Sequence, residues 1–593
     1  MGDSFVIAID FGTAYSGHAF SMTARDAVAD IHIKMWGEDV CQQTPKTPTC
    51  ILFNEKEEFF RFGYKAKTKY FRMRGQQAKD YFFFDNFKMS LYGKNVNRDL
   101  KIKAANGKEL SALKVFTEAL RFLKDDALET INNSVAGKKF IASDFTWVLT
   151  VPAIWDHSAK QFMREAAMQV ALLKNLLCVN LEAYFLMLYL FIFQAGIATE
   201  INKEKLIIAL EPEAASVWCK KLPADGFIAE RQGKDTLDQS PKTQYVVVDC
   251  GGGTIDITVH EVLEGGALKE LHKASGNNLG GQTVDRKCKE FLKEIFSDGV
   301  WDEFEKNHPN DVMKMMNDFT LFKKQDDNAE IDCPFNLGEI AQQKKTMEDF
   351  FKVVQGASWD EGSIVISKQK LRDFFAESLQ GITQSLQEIF TKGLNIKYIL
   401  LVGGYANSKI LQKHFTDKFE DKCKILCPVR PQEAILRGAV EFGRNPHLVA
   451  SRKSAFTYGV RVSRRFERFK HKPEKKIINK DGEWCRDIFM KLVESGEDVG
   501  WDETRTFSLY PTQADMTTMN YNFYCTKKRR PKYVDEEGID KIGCFLLNSP
   551  NTKRGLHREL KLNIKFGFTE MTAQGVDIDS KLTSSIELDF MRN

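Results

Sequence analysis

The chain has 593 residues, 43% of them hydrophobic and 28% charged, and its 85 basic and 81 acidic side chains leave a net charge of +4. That length exceeds a single hydrophobic core and implies roughly three to five domains or subdomains. The near-neutral balance gives no argument for nucleic acid or membrane as the main partner, and neither a nucleic-acid ligand nor a membrane span is expected.

Met1-Gly2-Asp3-Ser4 leads straight into the apolar run Phe5 to Ile9, with no basic leader and no apolar targeting core. The twelve cysteines are scattered without zinc spacing. A reduced, cytoplasmic protein is expected. The first strand pattern ends in Asp10-Phe11-Gly12-Thr13-Ala14-Tyr15-Ser16, a sharp turn on glycine. Such a turn exposes backbone N–H groups that can cradle phosphate oxygens.

Residues 170–194 do not fit their surroundings. The unbroken apolar part, Ala183 to Phe193, is 11 residues, whereas a membrane helix needs about 20. A buried helix is one reading. Another is an untranslated intron: Val170 can begin GT, Gln194 can be CAG, and the Phe, Leu, Tyr and Ile before it are what a pyrimidine tract spells. On that reading 170–194 is a non-native insertion, and its removal joins Gln169 to Ala195-Gly196 as an amphipathic helix with a glycine stop. Sequencing the transcript decides it; a mature message encoding Leu181 to Phe193 rules the insertion out.

Strand and helical patterns alternate to about Pro446, which predicts an α/β architecture. The polar stretch Asp225 to Thr243 splits it into two lobes, about 1–224 and about 244–446. The second lobe opens like the first, on Tyr245 to Val248 followed by Asp249-Cys250-Gly251-Gly252-Gly253-Thr254-Ile255-Asp256. A third strand, Ile399 to Val402, runs into Gly403-Gly404-Tyr405-Ala406-Asn407. One such loop is usually a tight turn. Three, each after a strand, predict a nucleoside triphosphate held between two lobes. From 455 to 593 short alternating runs such as Lys561 to Phe566, separated by turn clusters, predict a β-rich C-terminal domain. Within it, Lys527-Lys528-Arg529-Arg530-Pro531-Lys532 is either a nuclear-import type cluster or a solvated hairpin tip.

Residues 4 to about 446 resemble the ATPase domain of the 70-kDa heat-shock (actin-like ATPase) superfamily. The resemblance rests on the three loops together with Val151-Pro152-Ala153-Ile154-Trp155, Leu210-Glu211-Pro212-Glu213-Ala214-Ala215 and Leu279-Gly280-Gly281. The Glu-Pro-Glu-Ala-Ala run and the Tyr after the third glycine pair place it nearest the heat shock 70 kDa protein 12 branch. The fold this implies is a two-lobed actin-like ATPase, a duplicated ribonuclease-H-like domain, with ATP and magnesium in the cleft.

The resemblance also implies roles. Asp10 and Asp249 would hold magnesium, mainly through waters. Thr13 and Thr254, with Gly12, Ala14, Tyr15, Gly251, Gly252, Gly253, Gly280 and Gly281, would line the phosphates. Glu211 would position the attacking water, although a carboxylate at a helix start beside Pro212 is the plainer account. Lys67, in Gly63-Tyr64-Lys65-Ala66-Lys67, resembles a lysine that approaches the γ-phosphate. Asp256 would support the metal side.

At the adenosine end the chain departs from the family. Gly403 and Gly404 would let the backbone approach ribose and α-phosphate, with Lys323 and Lys324 closing the other side of the base. Asn407 stands where relatives carry a base-stacking arginine, and Tyr405 is a candidate substitute. The stretch Asn445 to Lys453 replaces the usual acidic-aliphatic linker, Pro152 and Lys160 resemble a proline switch and its basic relay, and no helical lid follows the β domain. The function implied is slow, magnesium-dependent ATP hydrolysis by a chaperone-like, stress-response protein that controls a protein client or signalling partner with a co-chaperone or exchange factor. The alternative is a nucleotide-dependent interaction scaffold with little turnover.

Overall fold

The computed structural model describes residues 5–23, 30–73, 76–93, 96–135, 137, 139–169, 197–199, 203–228, 236–567 and 571–591. The suspected insertion at 170–194 lies outside these residues. The chain divides into two compact units, one formed by Met1–Asp156, Phe162–Val262 and Ala274–Asn445, the other by His157–Gln161, Leu263–Lys273 and Pro446–Asn593.

The first unit contains the predicted duplication. In one sheet Phe5–Phe11 pairs antiparallel with Tyr15–Ser21 and parallel with Phe145–Val151, which pairs parallel with Leu206–Leu210. In the other, Gln244–Cys250 pairs antiparallel with Ile255–Val262 and parallel with Ile396–Val402, which pairs parallel with Lys424–Leu426. The same hairpin followed by parallel crossovers is thus built twice. Both central strands are continuous apolar runs, and Ile7, Ala8 and Tyr245 to Val248 are fully buried. Strands covered on both faces require such runs rather than alternation.

Two helices seat the cleft. Helix Glu211–Cys219 starts directly at the end of strand Leu206–Leu210, with Pro212 in its first turn, where a missing N–H costs nothing. Helix Ala434–Arg444 crosses it with backbones in contact. A Cβ on Gly438 would lie 1.6 Å from the Ala214 carbonyl oxygen, and one on Gly443 would lie 2.7 Å from Val6. Only glycine permits that approach.

The second unit is a pair of antiparallel sheets. One has the order Lys476–Asn479, Gly482–Val493, Thr457–Arg465, Thr518–Thr526 and Ile539–Asn548; the other runs Glu503–Leu509, Leu560–Phe566, Met571–Asp577 and Thr583–Glu587. Leu560–Phe566 alternates buried and open residues. Its Leu562 and Ile564 share one core with Val460, Phe523 and Leu547 of the first sheet, which makes a sandwich. After Arg444 the only helical pieces among the described residues are single 3₁₀ turns, so no helical lid follows within them. No helix among the described residues is long and apolar enough to cross a membrane.

Candidate functional site

The first two glycine loops come together in the first unit. A Cβ on Gly252 would sit 2.8 Å from Cβ of Ala14, and one on Gly253 would sit 2.8 Å from Oγ1 of Thr13 and 2.2 Å from Sδ of Met89. The loop carbonyls of Gly251, Gly252 and Gly253 accept the N–H groups of Gly281, Gln282 and Gly280 at 3.1, 2.8 and 3.2 Å. This binds the start of helix Gly281–Ile295 to the second loop. Among the described residues the N–H groups of Thr13, Gly252 and Gly253 find no acceptor. Unmatched donors at a glycine turn are the elements of a phosphate cradle.

Beneath the loops lies a buried cluster of four carboxylates and two lysines. Asp10, at the end of its strand, accepts from Thr150 Oγ1 at 3.0 Å and from the ammonium of Lys46. Glu211 accepts from Lys88 Nζ at 2.7 Å, and that ammonium also lies 5.1 Å above the ring of Trp155. Asp256 faces Asp249 across the antiparallel pair and accepts the N–H of Ile154 at 2.9 Å, which joins the two lobes. Asp249 Oδ1 is buried with no hydrogen-bond partner among the described residues.

The electrostatics follow from that inventory. Burial pushes the Glu211 carboxyl up to about 7, against the pull of Lys88, with Asp10 and Asp256 adding to the rise. Burial, then repulsion from Glu211, Asp256 and Asp10, holds the Asp249 carboxyl well above the usual range, while Lys46 pulls it down. Four acids against two lysines crowd more carboxyl groups than cations into one buried cluster, and the raised proton affinities of Glu211 and Asp249 answer that imbalance.

Other expected residues fall differently. Lys67 does not join the cluster. Burial lowers its ammonium, opposed by the Cys50 thiol and by Asp85, Asp318 and Asp285, and it forms no ion pair with Asp10, Glu211 or Asp249 among the described residues. The lysine on Glu211 is Lys88, carried by the 3₁₀ turn Phe87–Leu91. Tyr405 does not face the cleft: it is buried against Phe375 with ring centroids 5.9 Å apart, and its hydroxyl donates to Ser378 Oγ at 3.3 Å. The 3₁₀ turn Tyr405–Asn407 aims the ring into the core, where burial of a large aromatic is worth more than exposure. Asn407 donates to the Gly404 carbonyl at 3.1 Å and to Gln432 Oε1 at 2.9 Å.

Lys323 and Lys324 do lie beside the third loop. Ser408 Oγ donates to the Lys323 carbonyl at 3.3 Å, and Lys409 N donates to that of Lys324 at 3.2 Å. The ammonium of Lys323 is held by both oxygens of Asp285 at 2.7 and 2.6 Å. Cys250 is fully buried and its thiol is pushed well up by that burial, so it is a small core residue rather than an oxidation sensor.

Gly403 has φ of +88°, and a Cβ there would lie 2.4 Å from Asp249 Oδ1 and 2.5 Å from the Cys250 carbonyl oxygen; Gly404 has nothing within 4 Å. Gly403→Ala is therefore expected to cost about 3 kcal/mol of stability from backbone strain plus collision. Gly404→Ala is expected to leave stability within about 0.5 kcal/mol. Urea unfolding of the two variants checks the contrast, and equal midpoints would contradict the loop geometry.

The lysine contacts could not be read from spacing. Lys46 sits in a stretch of Thr and Pro and Lys88 between Phe87 and Met89, and only the fold carries them to Asp10 and Glu211. The comparisons agree with the architecture. A family model described as Hsp70 protein matches residues 234–443. Heat shock 70 kDa protein 12A of Mus musculus is 32% identical over 99% of this chain and 91% of its own length. Heat shock 70 kDa protein 12B of Homo sapiens is 30% identical over 100% of this chain and 91% of its own. Chaperone protein DnaK of Deinococcus radiodurans is 25% identical over 56% of this chain and 42% of its own. With two glycine loops closing on a buried carboxylate cluster and likeness along the whole chain, the protein belongs to the Hsp70 family of nucleotide-binding proteins.

Proposed function

We propose that this protein binds ATP with magnesium in the cleft, hydrolyses it slowly, and uses nucleotide state to control a protein client or signalling partner in a chaperone-like manner. The observation that carries the reading is a buried cluster of four carboxyl groups against two lysines, with Asp249 Oδ1 lacking a hydrogen-bond partner among the described residues. A divalent cation fits that deficit, and the unmatched loop N–H groups fit its phosphates. Asp10 and Asp249 would hold magnesium largely through waters, in keeping with its preference for few protein ligands. When bound, magnesium would neutralise charge developing on the transferred phosphoryl group. Among the described residues no three His, Cys, Asp or Glu side chains close on one metal position, which also favours water-mediated holding.

In this reading Glu211 orients the attacking water, and the Lys88 ammonium 2.7 Å from its carboxylate supports that role by fixing the side chain. Thr13 and Thr254 offer hydroxyls to the β- and γ-phosphates. Nucleotide exchange would involve a co-chaperone or exchange factor. Single-turnover hydrolysis of ATP, with and without magnesium, tests the reading; magnesium-dependent release of phosphate is the expected result. Gly404→Ala, which leaves the fold intact, is expected to weaken ATP binding on the order of tenfold by filling the approach to the ribose. Calorimetric titration measures it, and unchanged affinity would move the adenosine away from the third loop.

One observation favours the second reading, a nucleotide-dependent scaffold with little turnover. Asn407 is tied to Gln432 and Tyr405 is buried, so neither supplies a stacking plane for the base. Tight ATP binding with no phosphate release in the single-turnover assay would select it.

A further inference from the structure

The whole chain is nearly neutral, yet its positive charge is concentrated on one part of the β sandwich. Residues 464–472 hold Arg464, Arg465, Arg468, Lys470 and Lys472 against Glu467 alone, and 527–532 hold Lys527, Lys528, Arg529, Arg530 and Lys532 with no acid. These two short segments carry a net of nine positive charges, where the complete chain carries +4. Lys470 pairs with Glu467 at 2.5 Å and Lys528 approaches Glu536 at 3.7 Å; the other eight cations form no ion pair among the described residues.

The segments meet. The Lys532 ammonium donates to the Lys470 carbonyl, and Lys472 N donates to the Tyr533 hydroxyl at 2.9 Å. The first segment is a closed turn: Lys470 N and His471 N donate to the Glu467 carbonyl at 3.1 and 3.0 Å, and Glu467 N donates to His471 Nδ1 at 3.0 Å. At its tip stands Phe469, 99% exposed between Arg468 and Lys470. Its neighbour Phe466 is instead covered by Lys476, whose ammonium lies 5.3 Å from the ring, and Trp484 is covered by Arg465 at 4.3 Å. The fold shelters the adjacent aromatics and leaves this one in water.

A rigid turn that projects a bare phenyl ring from a field of unpaired cations matches the chemistry of an anionic lipid surface. The ring enters the acyl boundary while arginines and lysines meet the headgroups. An acidic polypeptide would use the cations and leave the ring without a partner. We propose that the face formed by 464–472 and 527–532 is a peripheral docking site for membranes rich in anionic phospholipid, with Phe469 as the inserted residue. This neither spans a bilayer nor depends on the nucleotide reading.

The test is cosedimentation of the full chain with phosphatidylcholine vesicles, with and without phosphatidylserine, at low and moderate salt. Phosphatidylserine-dependent binding that weakens with salt is expected. A basic residue at such a surface contributes roughly fivefold in affinity. Arg529→Glu with Arg530→Glu is therefore expected to lower binding at least about twentyfold. Phe469→Ala, at a site too exposed to matter for folding, is expected to lower it about tenfold with less dependence on salt. Equal binding to neutral vesicles, or none to either, overturns the proposal. So does binding that Phe469→Ala leaves unchanged and that polyglutamate displaces, which would assign the face to acidic proteins.

Discussion

Glu211→Gln is expected to slow single-turnover ATP hydrolysis by about two to three orders of magnitude, while ATP affinity stays within a few fold. The glutamine keeps the shape of the side chain but cannot hold a water as a carboxylate does, and it touches no loop that cradles phosphate. The pH profile adds a second readout. Burial raises the native Glu211 carboxyl from its model-compound value of 4.5 to about 7. Between those values the native protein keeps a proton that the unfolded chain gives up, so the contribution of this group to stability falls as pH rises across the window and is constant above it. The ionised form is the one that orients water. Hydrolysis should therefore rise through about pH 7 in the wild-type protein, and the rise should be absent from Glu211→Gln.

Lys88 supplies the matching control. Its side chain and that of Glu211 are 2% and 8% exposed. Lys88→Met leaves the carboxylate buried without its cation and is expected to cost about 3–5 kcal/mol. Combining it with Glu211→Gln should recover much of that loss, because the uncompensated charge is gone. Additive losses in urea unfolding would mean that the two residues do not act as a pair. If Lys67 rather than Lys88 attended the reacting phosphate, Lys67→Met would abolish turnover and Lys88→Met would affect stability alone.

The difference between these lysines shows where sequence reasoning stops. Asp10, Asp249 and Glu211 are legible because each ends a strand and begins a glycine turn or a proline-marked helix, and both features leave a local trace. The paired lobes are legible for the same reason, since the strand Gln244–Cys250 repeats the pattern of Phe5–Phe11. A buried lysine leaves no such trace. Lys88 sits 123 residues from Glu211 and Lys46 sits 36 from Asp10, and no motif around either lysine names the acid it meets. Gly-x-x-Ala-Lys drew attention to Lys67 because it has a motif around it, whereas the fold selects by position. Tyr405 is a further case. Its place after a glycine pair is readable, but the direction of its ring depends on the pocket formed by Phe375, Ser378 and Gly281. The basic run 527–532 is readable in the sequence, but its meeting with 464–472 is not, because the fold brings Lys532 to Lys470 from 62 residues away.

Asp249→Asn should separate a metal site from a structural carboxylate by moving stability and binding in opposite directions. In the protein without nucleotide, Asp249 is a cost: Oδ1 has no partner, and three other carboxylates raise its proton affinity. An asparagine of the same size removes that repulsion and is expected to raise the unfolding temperature of the nucleotide-free protein. On the proposed reading, magnesium and ATP would stabilise the wild-type protein in proportion to the logarithm of their concentration over the dissociation constant. With one of the two carboxylates proposed to hold the metal made neutral, affinity for magnesium-ATP should fall on the order of a hundredfold, and the added stabilisation should largely disappear. The two melting curves are then expected to cross: the variant is more stable without ligand and less stable at saturating magnesium-ATP. A variant that is less stable without ligand and keeps the full ligand-induced shift would make Asp249 a structural residue and remove the metal from this end of the cleft. The crossing tests the physical claim directly, that a site built to bind a cation is strained until the cation arrives.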